Sequence, residues 1–170
     1  MFVVDTDRTE LDVEVHPSLF GFQVRITGLH GEIEGDLRPE GTVDLSSTVG
    51  ARVSMNVNDL DLGNPLLTRT THGALGLAGD GSVNASLVDI SGAEAPANGP
   101  GQSFTFTFDV ESGSLRGRLE ASAVVAGNDD GSVTVTGATE FRAADFDVHL
   151  PGLGHLRGVC HWTVVVLPRR

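Results

Sequence analysis

Apolar and polar residues alternate with a period of two from one end of this 170-residue chain to the other. Leu11, Val13 and Val15 are separated by Asp12 and Glu14. Phe20, Phe22, Val24 and Ile26 are separated by Gly21, Gln23 and Arg25. The rhythm returns at Ile33 and Leu37, at Val53, Met55 and Val57, and at Val83, Ala85 and Leu87. It continues through Phe104, Phe106 and Phe108, through Leu115, Leu119, Ala121 and Ala123, and through Val133 and Val135. Successive side chains of a strand point to opposite faces, so each run reads as an antiparallel strand with one dry and one wet face.

Turn chemistry separates the runs. Gly79-Asp80-Gly81 and Asn128-Asp129-Asp130-Gly131 suit hairpins, because Gly, Asn and Asp tolerate positive φ. The stretch from Ser91 to Gly101 reads as a flexible loop, with strand patterns of the same kind on both sides. One segment breaks the alternation. Asn64 can cap a helix and Pro65 suits its first position, with Leu62, Leu66 and Leu67 as its apolar side and Gly73 keeping it short. Residues 1–170 thus read as a single all-β domain with one short helix. The dry faces are closed off either by an antiparallel barrel of about eight strands or by a two-sheet sandwich. The length of the strands and the removal of exposed edges favour the barrel.

Four stretches resemble the YceI-like family of lipocalin-like, polyisoprenoid-binding β-barrels. Phe2-Val3-Val4-Asp5-Thr6 through Val15 is similar to its first strand. Phe22 to Gly35, ending His30-Gly31-Glu32-Ile33-Glu34-Gly35, is similar to the second and third. Asn58-Asp59-Leu60-Asp61-Leu62-Gly63-Asn64-Pro65 resembles the family's entry into a short helix. Phe141-Arg142-Ala143-Ala144-Asp145-Phe146-Asp147-Val148 resembles its late strand. The chain departs from the family at Asp147, where Gly is usual, and lacks the Gly-Val-Thr turn between Leu115 and Val125. The resemblance implies a lipocalin-like barrel with a long apolar tunnel.

The residues supply a lining of their own. Phe104, Phe106 and Phe108 share one strand face, and Phe20 and Phe22 another; Met55, Leu119, Phe141, His161 and Trp162 complete the candidate ligand-binding set. The plain alternative is that the rings only fill a core. Gly35, Gly117, Ala121 and Ala123 fall on inward positions, and small residues opposite bulky ones leave volume. The last strand, Val159 to Leu167, is apolar on both faces, so alternation does not say which side Trp162 takes. Its outer face would meet the helix, the N-terminal segment or a second copy in a homodimer. Arg69 and Arg142 are candidates for an anionic head group, ahead of Arg25 and Arg52, with a solvated surface as the plain alternative.

Catalytic and metal readings are thin. Asp145, Asp147 and His149 share a face, but alternation sends Phe146 and Val148 to the core and that set outward. Cys160 and His161 are adjacent, hence on opposite faces, and do not form a dyad by adjacency. The sequence carries no Walker loop, no dinucleotide fingerprint after a strand and no Gly-x-Ser-x-Gly elbow. No cofactor and no metal is expected.

Net charge is −12, and all 11 basic residues are Arg. An acidic surface without basic clusters speaks against nucleic acid and anionic lipid. One cysteine builds no disulfide framework, no run is long enough to span a bilayer, and the N-terminus lacks the pattern of a secretory signal. A cytoplasmic protein follows as the expectation. The expected partner is an apolar small molecule or lipid, held by a binding or carrier protein as an isoprenoid or fatty-acyl chain. The alternative is a small barrel enzyme, a cyclase or isomerase that folds an apolar intermediate in the same cavity.

Overall fold

The computed structural model describes residues 1–16, 23–35, 50–61, 65–74, 81–92, 101–113, 115–146 and 157–169. Its strands are β1 (Phe2–Val4), β2 (Glu10–His16), β3 (Gln23–Ile26), β4 (His30–Glu34), β5 (Gly50–Asn56) and β6 (Leu60–Asp61). After helix α1 (Pro65–Ala74) come β7 (Ser82–Gly92), β8 (Gln102–Ser112), β9 (Leu115–Gly127), β10 (Val133–Arg142) and β11 (Arg157–Pro168). All pairings are antiparallel. The order β1-β4-β5-β7-β8-β9-β10-β11 closes on itself because β11 also pairs β1, with Val4 opposite Val166. The result is the eight-strand antiparallel barrel, closed rather than split into two sheets.

The remaining three strands lie in the same wall. β2 continues β1 along β11, β3 pairs β2, and β6 pairs β3. The first three staves are therefore each broken once: at the 3-10 turn Thr6–Arg8, at residues 27–29, and at the 3-10 turn Val57–Asp59. The breaks are stitched together. The Thr6 hydroxyl donates to the Leu29 carbonyl at 3.0 Å. Gly28 sits at φ +71, so close to the Asp59 carboxylate that a β-carbon there would lie 2.6 Å from Oδ2. A residue other than glycine would meet both penalties at once.

The tie between the N-terminal turn and the β9–β10 hairpin is ionic. Arg8 donates to Asp5 at 2.7 Å and to Asp130 at 2.8 Å. The hairpin is built as its sequence predicts: Gly131 has φ +80, its N–H meets the Asn128 carbonyl at 3.0 Å, and Asn128 N–H meets Ser132 O at 2.9 Å. The Ser132 hydroxyl and backbone N–H both donate to Asp130, and with Arg8 they hold its carboxyl at about 2. Asp5 is lowered too, mainly by its bond from Arg8. Both groups are more acidic folded than unfolded. They therefore favour the fold above the ordinary Asp value near ~3.9, and that contribution is lost as pH falls toward about 2. The acid limb of stability of Asp130→Asn should be shallower than that of the wild type across this window, read as urea midpoint against pH. An unchanged limb would show that these bonds do nothing for stability.

Buried apolar residues gather in two packed clusters. Phe2, Phe104, Val133 and Val166 belong to the one beside the hairpin and the chain ends. Val13 and Ile26, with Met55, Phe141 and Cys160 against them, form the other. The helix begins at Pro65 and is short, as its sequence suggests. Of the leucines expected on its apolar side, Leu66 is a correction. Leu66 is 75% exposed, and the more sheltered described side chains are Thr68 and His72, four residues apart on one face. Leu62 and Asn64 lie outside the described residues.

Candidate functional site

Inside the barrel lies a cavity of about 200 Å³. β8 contributes Phe106, Phe108 and Val110, and β9 contributes Leu119, Ala121 and Val125. β10 adds Val135 and Thr139; β11 adds Trp162 and Val164. The opposite wall comes from Leu11, Leu29 and Ile33, from Ala51 and Val53, and from Ala85, Leu87 and Ile90 on β7, with Gly35 at its margin. Alternation places these residues. Phe106 faces Ala121 across the β8–β9 ladder, so a ring meets a methyl group and space remains.

The wall is almost wholly hydrocarbon. Thr139 is 6% exposed, and its Oγ1 accepts a hydrogen bond from Trp162 Nε1 at 3.2 Å. The indole N–H and the hydroxyl of the lining are thus bonded to each other, which removes the cost of burying them. Among the described residues of the lining, none is titratable. Gly137 lies beneath Trp162: a β-carbon there would stand 2.6 Å from the indole Cζ2. Glycine at this point lets the indole lie flat on the sheet.

One stretch of wall is differently made. The β9–β10 ladder stops at Ser122 opposite Ala138, although β9 extends to Leu115 and β10 to Arg142. Beyond the 3-10 turn Ala143–Asp145 the chain returns, and Phe146 bridges Gly117. The Phe146 ring occupies the space a side chain at Gly117 would need, and Phe141 does the same over Gly158. The two rings meet edge to face at 6.4 Å and cover this interval.

The structure sorts the sequence candidates. Phe106, Phe108, Leu119 and Trp162 line the cavity. Phe104 does not: it is buried in the hairpin-side cluster as packing. Met55 and Phe141 pack against Val13 and Ile26 in the other cluster and are not in the lining. Phe20 and Phe22 lie outside the described residues, as do Asp147, His149 and His155. His161 is a correction. On β11 the inward set is Cys160, Trp162 and Val164, so His161 points outward and is exposed. Arg69, on α1, and Arg142, at the end of β10, are both exposed and neither lines the cavity. Asp145 accepts from the Arg142 backbone N–H at 2.9 Å, a local capping role. The outer face of β11 is partly covered within the chain, since Val165 is buried beside the Thr6–Arg8 turn.

Ile90 is a lining residue that alternation misses. A bulge between Leu87 and Asp89 inserts Val88, which turns outward and is exposed, and shifts the phase so that Ile90 faces in. The adjacent apolar pair Leu87-Val88 is the only trace of this in the sequence.

Cys160 is inward and packed, and burial pushes its thiol up to about 11, with the Asp12 carboxylate adding to the effect. At pH 8 only about one thiol in a thousand is then ionised. Labelling by a disulfide reagent should be at least tenfold slower in the folded protein than in urea. Equal rates would place the thiol in solvent.

No family model matches the chain, and no curated protein matches it. Among solved structures it is similar to the crystal structure of Burkholderia cenocepacia BcnA, with a TM-score of 0.70 and 14% sequence identity over 97% of this chain and 99% of that one. The likeness shows a shared barrel fold. Among the described residues, no helix is long and apolar enough to cross a membrane.

Proposed function

We propose that this chain is a YceI-like binding or carrier protein that encloses an apolar molecule of isoprenoid or fatty-acyl type in the barrel. The carrying observation is the cavity of about 200 Å³ whose indole N–H and hydroxyl bond each other, leaving a hydrocarbon surface. Such a wall recognises by burial, at about 25 cal/mol per Å² of apolar area removed from water, and by shape. A ligand's polar end would stay outside it. The described wall, with no titratable group among its residues, supplies positioning.

The test uses the protein's own reporter. Trp162 is the only tryptophan and it lines the cavity. Titration with decanoic acid or geraniol should change its fluorescence saturably, at one ligand per chain. An unchanged emission, together with no ligand retained on gel filtration, would end the carrier reading.

A further inference from the structure

We infer that the interval between β9 and β10 is a side entrance to the cavity, with Phe146 as its shutter. The inference rests on the carrier reading and adds the route by which an apolar molecule enters and leaves.

The backbone supplies the first ground. Among the described residues, β9 and β10 share no ladder pair between Ser122–Ala138 and the single bridge of Gly117 to Phe146. On β9 the interval takes in residues 118–121. That is roughly 13 Å at ~3.3 Å per residue, about three times the ~4 Å contact diameter of a methylene. The interval is not a frayed end. β9 stays paired to β8 as far as Leu115, and β10 stays paired to β11 as far as Arg142. Each bank is held from its far side, so parting the two banks here breaks no ladder bond between them.

The cavity lies directly behind. Leu119 and Ala121 on one bank and Thr139 on the other belong to its lining. The Thr139 hydroxyl accepts from the Trp162 indole at 3.2 Å, which sets the fluorescent side chain beside the interval. The cover is the third ground. Gly117 shares the inward parity of Leu119 and Ala121, and the Phe146 ring fills the space its side chain would need. The ring therefore closes the interval from inside, against Phe141. The turn that carries Phe146 is shaped by bonds of its own. Asp145 accepts from the Arg142 backbone N–H at 2.9 Å, and the Ala143 carbonyl accepts from the Phe146 N–H at 3.3 Å. The turn can swing off Gly117 with both bonds intact. Opening then gives up one bridge and one ring contact, a local event that leaves the barrel folded.

Stopped-flow mixing of the full chain with decanoic acid, read on Trp162 emission, tests the route. Phe146→Ala removes the shutter. Gly117→Ala puts a methyl group where the ring stands and should push it aside. Each variant should raise the association and dissociation rates together, by about tenfold, with the equilibrium affinity within about twofold of the wild type. That pairing separates an entrance from an ordinary wall contact, whose loss speeds dissociation alone. Unchanged rates in a folded variant of either kind would overturn the proposal, because the molecule then enters along the barrel axis. Faster dissociation with unchanged association would overturn it as well. Should both variants fold poorly, amide hydrogen exchange of the wild type decides. The Phe146 N–H should exchange at least about a hundredfold faster than that of Val135, which sits in ladders on both sides. Equal protection would overturn the shutter. No binding of decanoic acid by the wild type would overturn the carrier reading itself.

Discussion

Ala121→Phe should abolish uptake of apolar ligands and leave the protein folded. Ala121 is 3% exposed, faces Phe106 across the ladder and lines the cavity. The substitution adds a phenyl ring, and a benzene-sized group suits a cavity of ~150 Å³, most of the space present. Burying the new ring contributes ~1.5–3 kcal/mol, and its imperfect fit costs ~1–3 kcal/mol, so stability should stay within about 2 kcal/mol of the wild type. Affinity for decanoic acid should fall at least a hundredfold. A variant that folds and binds like the wild type would mean that the space lies elsewhere.

Val166→Asp should have the largest effect on folding. Val166 and Val133 are both 0% exposed and face each other across the β10–β11 ladder. Val166 is also opposite Val4 on β1, at the pairing that closes the barrel. A carboxylate here has no partner and loses its water. Unpaired buried charge costs on the order of 4 kcal/mol or more, against ~2 kcal/mol for the cavity left by Val166→Ala. Burial raises the folded pKa of the new acid above its unfolded value. The variant should therefore be least stable above that raised pKa and recover part of the loss as pH falls toward it. Urea unfolding at pH 7.5 and pH 5 measures both parts. A cost below about 1 kcal/mol would show that the β1–β11 closure contributes little.

The alternation of small and apolar residues made the barrel and much of its lining legible. Phe106, Phe108, Leu119 and Ala121 can be placed by counting alone, because those strands are regular over long runs. Counting fails where the backbone slips phase or both faces are apolar. The bulge at Val88 brings in Ile90 unannounced. On β11, His161 and Thr163 flank Trp162 in a run with apolar residues on both faces, and only the partners on β10 and β2, Gly137 and Leu11, decide that Trp162 enters and His161 leaves. Phe104, Met55 and Phe141 show a different limit. They have the inward parity of lining residues, yet pack into the two apolar clusters and not against the cavity. Parity fixes a face of the sheet, while depth along the barrel depends on strand stagger, which no single strand encodes.

The central claim is that this barrel carries an apolar molecule. Its most direct measurement is mass spectrometry of organic extracts from detergent-free purified protein, with Ala121→Phe treated identically. The expected result is one apolar compound per wild-type chain and none from the filled variant. A folded wild type that yields nothing, and takes up neither decanoic acid nor geraniol when offered, would contradict the claim.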